Sequence, residues 1–133
     1  MARCAILACL AIVAASCGAR ADQTAKPVQT AVVWRTIGSW SGHGSRQTES
    51  FTSETGTLRV RWEATHEAVT GSGAFRMTAH SAISGRSLQE IVDQPGAGRG
   101  EAYVQQDPHV FYVVVESNRV NWSFTVEEAL AYP

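Results

Sequence analysis

The sequence predicts an all-β protein: a single small antiparallel β-sandwich, jelly-roll-like and of about eight strands, placed after an N-terminal export signal. Three observations carry this expectation. Apolar and polar residues alternate with period two over several short stretches, as half-buried strands require. Turn-forming Gly, Pro, Asn, Asp and Ser separate these stretches at intervals of about 8–12 residues, the spacing of a sandwich or barrel. All three cysteines (Cys4, Cys9 and Cys17) lie at the N-terminal end, so the body has no disulfide and must be held by its core.

The first segment is the uncharged run "AILACLAIVAA", Ala5–Ala15, which follows Arg3. Its length falls within the roughly 7–15 residues of a signal-peptide core and short of the roughly 20 needed to span a bilayer. It has no polar face, as a helix buried against a domain would. Residues 1–16 are therefore read as a signal peptide. Two cleavage points compete. "ARA" at 19–21 has the small-x-small pattern of ordinary signal peptidase, and cleavage after Ala21 would free the protein in the periplasm or outside the cell. "AASC" at 14–17 resembles the lipobox of bacterial lipoproteins. That resemblance implies that Cys17 becomes the first mature residue and carries a lipid, with the protein held at the bacterial cell envelope. A cysteine at the end of the apolar run, in a chain otherwise free of them, favours lipidation of Cys17. The resemblance also implies three acyl chains, and one chain alone binds only marginally. Residues 17–30, running on through "GARADQTAKPVQT", are polar and aperiodic and read as a flexible tether reaching about 20 Å.

Residues 31–133 form the domain. "AVVWRTI" (31–37) and "RQTESFT" (46–52) are the first, weaker strand candidates. "TLRVRWEA" (57–64) alternates without fault, with Leu58, Val60, Trp62 and Ala64 on one face and Arg59, Arg61 and Glu63 on the other. "AFRMTAHS" (74–81) turns Phe75, Met77 and Ala79 inward. "SLQEIV" (87–92) is a weak strand, or with Asp93 a single helical turn, and "EAYVQQ" (101–106) follows it. "HVFYVVVE" (109–116) is apolar on both faces, which predicts a central strand covered on both sides. "RVNWSFTVEE" (119–128) closes the series, with Val120, Trp122, Phe124 and Val126 inward. Turns are expected at 53–56, 70–73, 84–86, 94–100, 107–108 and 116–118, with Pro95 and Pro108 between strands. Trp34, Trp62 and Trp122 lie within strand patterns and are expected to anchor the core.

"WSGHGSRQTESF" (40–51), "LRVRWE" (58–63), "VFYVVVES" (110–117) and "VNWSFTVEE" (120–128) together resemble exported bacterial β-sandwich domains of unknown function. The resemblance covers about ninety residues of this chain and rests on structural positions. It implies a fold and a cellular address and transfers no catalytic residue.

Composition excludes some partners. From Cys17 onward ten basic residues face twelve acidic ones, and Lys26 is the single lysine. With no basic stripe, nucleic acid is not an expected partner. "GSWSG" (38–42) has Trp40 where a nucleophile elbow needs serine. "GAGRG" (96–100) lacks the lysine and helix of a phosphate loop. His43, His66, His80 and His109 have no metal-ligand spacing, and Glu127 and Glu128 point to opposite faces of a strand. "NWS" (121–123) is a formal sequon in mid-strand. No cofactor and no metal are expected.

Trp40, in the glycine-bracketed stretch "GSWSGHG", is the one candidate ligand contact, with His43 and Arg46 close enough in sequence to add hydrogen bonds. It has two readings: a cap folded over the end of the core, or an exposed platform for a sugar ring or peptide. The functional expectation is a non-catalytic envelope lipoprotein whose sandwich binds or scaffolds. Its partners would be the membrane, through the anchor, and an envelope protein or glycan. The alternatives are a small secreted hydrolase or metal-dependent enzyme built from His43, Ser45, His80 and the strand-end loops, or an assembly subunit that adds a strand at an open sheet edge.

Overall fold

The computed structural model describes residues 31–67 and 73–132. The signal peptide, the lipidation position Cys17 and the tether lie outside the described residues. Among the described residues nine strands follow one another: β1 Ala31–His43, β2 Arg46–Gln47, β3 Phe51–Ser53, β4 Thr57–His66, β5 Ala74–Ser81, β6 Ser87–Pro95, β7 Gly98–Gln105, β8 His109–Asn118 and β9 Val120–Tyr132. Among the described residues there is no helix. The stretch 87–93, whose sequence allows a helical turn, is strand throughout.

The pairing is nested. β1 pairs with β9, β2 and β3 with β8, β4 with β7, and β5 with β6, all antiparallel. A ribbon paired first strand to last in this way and then folded over brings β4 against β9 and β5 against β8. The result is a four-stranded sheet, β1-β9-β4-β7, facing a second sheet, β2-β8-β5-β6, with β3 beside β2 on β8. With β2 and β3 counted as two pieces of one interrupted strand, this is the connectivity of a jelly roll. Thr48 fills the interruption with its side chain. Its amide donates to the Val113 carbonyl at 2.9 Å, and its hydroxyl, in place of a carbonyl, accepts from the Val113 amide at 3.0 Å. The sequence predicts one strand over 46–52, and the ladder breaks there because a side chain has taken over the pairing.

The core lies between the sheets and follows the alternation. Leu58, Val60 and Ala64 of β4, Phe75 and Met77 of β5, Val104 of β7, Phe111, Val113 and Val115 of β8, and Val120, Trp122, Phe124 and Val126 of β9 are buried in one cluster. Burying a side chain of this size stabilises by about 1.5–3 kcal/mol. Trp62 packs against the cluster without being fully enclosed, its ring 5.7 Å from that of Phe75. The opposite strand makes room for it at Gly100, where a Cβ would lie 3.2 Å from the indole. At the 53–56 turn Gly56 holds φ 73°, and a Cβ there would strike the Gln106 carbonyl at 2.0 Å; only glycine fits.

Several expectations are corrected. β8 is central in its sheet but covered on one side: Phe111, Val113 and Val115 are buried, while Val110, Tyr112 and Val114 are half-exposed. A sandwich has two layers, so among the described residues no third layer packs on the outer face of β8. Pro95 ends β6 rather than lying in a loop. β6 is an edge strand, where proline is tolerated. The stretch 94–100 is a short turn from one sheet to the other, because pairing with β5 extends to Pro95 and pairing with β4 begins at Gly98. The Gly- and Ser-rich stretch 38–43, a loop by its composition, is strand, because β9 supplies it with partners from Gly38 to His43.

Trp34 is the largest correction. β1 carries a bulge between Thr36 and Gly38, with Ile37 the extra residue against β9. Side chains alternate with period two, so one extra residue exchanges the faces. Trp34 and Trp40 have the same parity in sequence, yet Trp34 stands opposite Ala129 on the outer face and Trp40 opposite Phe124 on the inner one. Trp34 is therefore not a core anchor.

Candidate functional site

The outer face of the β1-β9-β4-β7 sheet is a grid of polar side chains set by register. Thr36, Glu127, Arg59 and Tyr103 form one row across the four strands. Ser39, Thr125, Arg61 and Glu101 form the next, and Ser41, Ser123, Glu63 and Arg99 the third. The serines and threonines of β1 and β9 are short, and Arg61 and Glu63 of β4 are long. The surface consequently sinks into an open groove of about 340 Å³ lined by Ser39, Ser41, Arg61, Glu63, Ser123 and Thr125.

Internal bonds tie the two ends of this face down to different degrees. In the first row Arg59 Nε donates to Glu127 at 2.6 Å, with both side chains mostly buried. The Arg59 guanidinium holds the Glu127 carboxyl below its ordinary value of 4.5, against the opposing effect of burial. Arg59 also lies under the Trp34 ring, 4.4 Å from its centroid. Trp34 reaches toward Tyr103, their ring centres 6.1 Å apart. The Trp34 ring, stacked on the Arg59 cation and tilted against Tyr103, thus covers the ion pair. In the groove rows the commitments are lighter. The Ser39 and Thr125 hydroxyls share a hydrogen bond of 2.8 Å, and Arg61 Nε lies 3.5 Å from both Glu101 and Glu127. Among the described residues, the side chains of Ser41, Glu63 and Ser123 have no intramolecular hydrogen-bond partner there.

On the inner face Glu128 is fully buried, opposite Arg35 in the register. Burial opposes its ionisation. The Arg35 guanidinium, the Ser53 hydroxyl at 3.0 Å and the Glu54 amide at 2.9 Å outweigh that opposition and hold its pKa below 4.5. Arg35 also reaches Glu54 at 3.3 Å. Because Glu128 is on β9 and Ser53 on β3, this cluster clasps the two sheets together at one end. Alternation correctly sends Glu127 and Glu128 to opposite faces, but their burial depends on arginines far away in sequence.

The structure separates the sequence-derived contacts. Trp40 is half-buried and stacked on Phe124 at 5.3 Å and against Phe51 at 5.6 Å, its indole N–H donating to Glu49 at 3.1 Å. Its ring faces the core. His43 closes β1 opposite Asn121 and is exposed. Arg46 begins β2 and donates to the Ser41 carbonyl at 3.3 Å. Trp40 and Arg46 line a second hollow of about 210 Å³ between the sheets at the β1 edge, without His43. The residues of the hydrolase alternative do not converge. By register His43 is on the outer face of one sheet, whereas His80 stacks on Tyr112 on the outer face of the other. The Ser45 hydroxyl accepts the Ser117 amide.

One Ser–His pair does form. Ser81 and His109 are hydrogen-bonded, a pairing that their 28-residue separation concealed. The Ser81 hydroxyl also accepts the amides of Ile83 and Ser84, each at 3.2 Å. Two acceptor positions are then occupied and the proton points at His109, so this buried oxygen has no lone pair to offer a substrate. It closes the turn after β5. Among the described residues no cluster of three or more His, Cys, Asp or Glu is placed to hold a metal ion.

No protein-family model matches the chain, and no curated protein is significantly similar to it in sequence.

Proposed function

We propose that this chain is a non-catalytic, lipid-anchored module of a bacterial cell envelope, and that its jelly-roll body binds a partner through the groove on the outer face of the β1-β9-β4-β7 sheet. The anchor part rests on the lipobox-like "AASC" and on the lack of any cysteine after Cys17. The observation that carries the binding part is the groove: a concavity on a paired sheet, lined by polar side chains of which Ser41, Glu63 and Ser123 have no internal partner among the described residues.

Two measurements test the two parts. Intact mass of the membrane-fraction protein is expected to show a chain beginning at an acylated Cys17, and Cys17→Ala should release the protein from the membrane; a mature chain beginning at Asp22 would overturn the anchor. For the groove, the full-length protein is expected to retain an envelope component that the Arg61→Ala/Glu63→Ala double variant does not. Equal retention by both would overturn the groove as the site.

A further inference from the structure

Three properties of the groove narrow its ligand. First, its floor is mid-sheet: β9 is paired on both sides, by β1 and β4, and β4 on both sides, by β9 and β7. Their backbone donors and acceptors are therefore consumed, and a peptide cannot be held there by adding a strand. Recognition must come from side chains alone. Second, those side chains are hydroxyls with one guanidinium and one carboxylate, which supply donors and acceptors with no excess of either charge. A polyanion such as nucleic acid or an acidic lipid surface needs a basic stripe, and none is present. Third, the same face carries Trp34 and Tyr103 in the adjacent region, Tyr103 at 50 % exposure. Successive rows on one face lie about 7 Å apart, so groove and aromatic pair form one track about 14 Å long.

We propose that this track binds an uncharged polysaccharide chain. A pyranose ring presents an apolar patch of C–H groups on its face and hydroxyls around its rim. The first matches the exposed aromatic surface of Trp34 and Tyr103. The second matches Arg61, Glu63, Ser41 and Ser123, which can donate to and accept from vicinal hydroxyls. The open ends of the groove admit the middle of a long chain. The inference rests on the groove being the binding site and adds the ligand class; it moves the aromatic contact from Trp40, whose ring is turned into the core, to Trp34.

The test is affinity electrophoresis of the full-length protein in detergent, through native gels containing dextran, mixed-linkage glucan, mannan, xylan or, as the acidic comparison, alginate. Retardation is expected in at least one neutral gel and not in alginate. Arg61→Ala, Glu63→Gln and Trp34→Ala should each weaken it tenfold or more, while Arg76→Ala, on the outer face of the other sheet, should leave it unchanged. All four positions are surface-accessible, and unchanged thermal unfolding confirms that each variant is folded. Retardation by alginate alone, or retardation equal in all variants, overturns the proposal. A photo-crosslinking amino acid in place of Ser123 separates the two levels of failure. Crosslinking to an envelope protein, with no retardation in any neutral gel, overturns the sugar ligand and leaves the groove as a binding site. Neither crosslink nor retardation overturns both.

Discussion

The two faces of the β4–β9 strand pair come from the same alternating residues and do opposite things. Toward the second sheet, Val60, Trp62, Phe124 and Val126 exclude water and hold the sandwich closed. Toward solvent, Arg59, Arg61, Glu63, Ser123 and Thr125 make only partial use of one another. The inner face is valued by area removed from water, so nearly any change there is costly. Away from the mostly buried Arg59–Glu127 pair, the outer face consists of exposed ion pairs and hydroxyls whose individual contributions are about 0–1 kcal/mol, so the fold constrains its composition little. Glu128 is the exception that sharpens the contrast. A carboxylate stands on the inner face only because an arginine, a hydroxyl and an amide meet it there.

The largest effect should come from the device that separates the faces at β1. Deleting Ile37 removes the bulge and exchanges the faces of the strand on one side of it. Trp34 would then be driven inward and Arg35 lose Glu128, or Trp40 be expelled from the core. No cooperative thermal transition is expected. Ile37→Ala keeps the extra residue and should cost about 0.5–3 kcal/mol. A folded deletion variant with normal near-ultraviolet circular dichroism would show that the bulge does not set the faces.

Next is Trp122, 4 % exposed, stacked 5.7 Å from Phe124 and donating to the Gly44 carbonyl at 2.9 Å. Trp122→Ala should cost about 3–5 kcal/mol in a domain whose total stability is of order 5–15 kcal/mol. A melting temperature within a degree of the parent would contradict a β9 register that turns Trp122 into the core.

The glutamates separate the faces by pH. Both have folded-state pKa values below the ordinary 4.5. A lowered folded value means that the unfolded chain binds the proton first, so the stabilisation is complete above about 4.5 and is lost as pH falls through the folded values. Melting temperature should therefore be flat near neutrality and fall on acidification below about pH 4.5. Glu128→Gln should lower the melting temperature at pH 7 and flatten its acid dependence more than Glu127→Gln does, since Glu128 loses bonds to both sheets. Identical profiles for the two variants would dissolve the distinction between the faces.

The smallest effects belong to the groove floor. Ser41→Ala and Ser123→Ala should change stability by no more than about 0.5 kcal/mol, as read by urea midpoints. A larger loss would mean that these hydroxyls serve the fold after all.

Much of this fold is legible in the sequence, because period-two alternation needs only neighbouring residues. The strands at 57–64, 74–81, 109–116 and 119–128 and the inward set Leu58, Val60, Phe75, Met77, Trp122 and Phe124 can be read from a few adjacent positions, as can the opposite directions of Glu127 and Glu128. Where a feature depends on a partner far along the chain, the local signal is silent or misleading. "GSWSGH" has the composition of a loop and is strand because β9 pairs with it. Trp34 has the parity of a core residue and faces outward because Ile37 is one residue too many for its partner strand. The buried state of Glu128 depends on Arg35, 93 positions away, and the groove exists only where β1, β9 and β4 bring their short and long polar side chains side by side. Alternation is a property of one strand and can be read along the chain; register, bulge and row are properties of pairs of strands and arise only when distant segments meet.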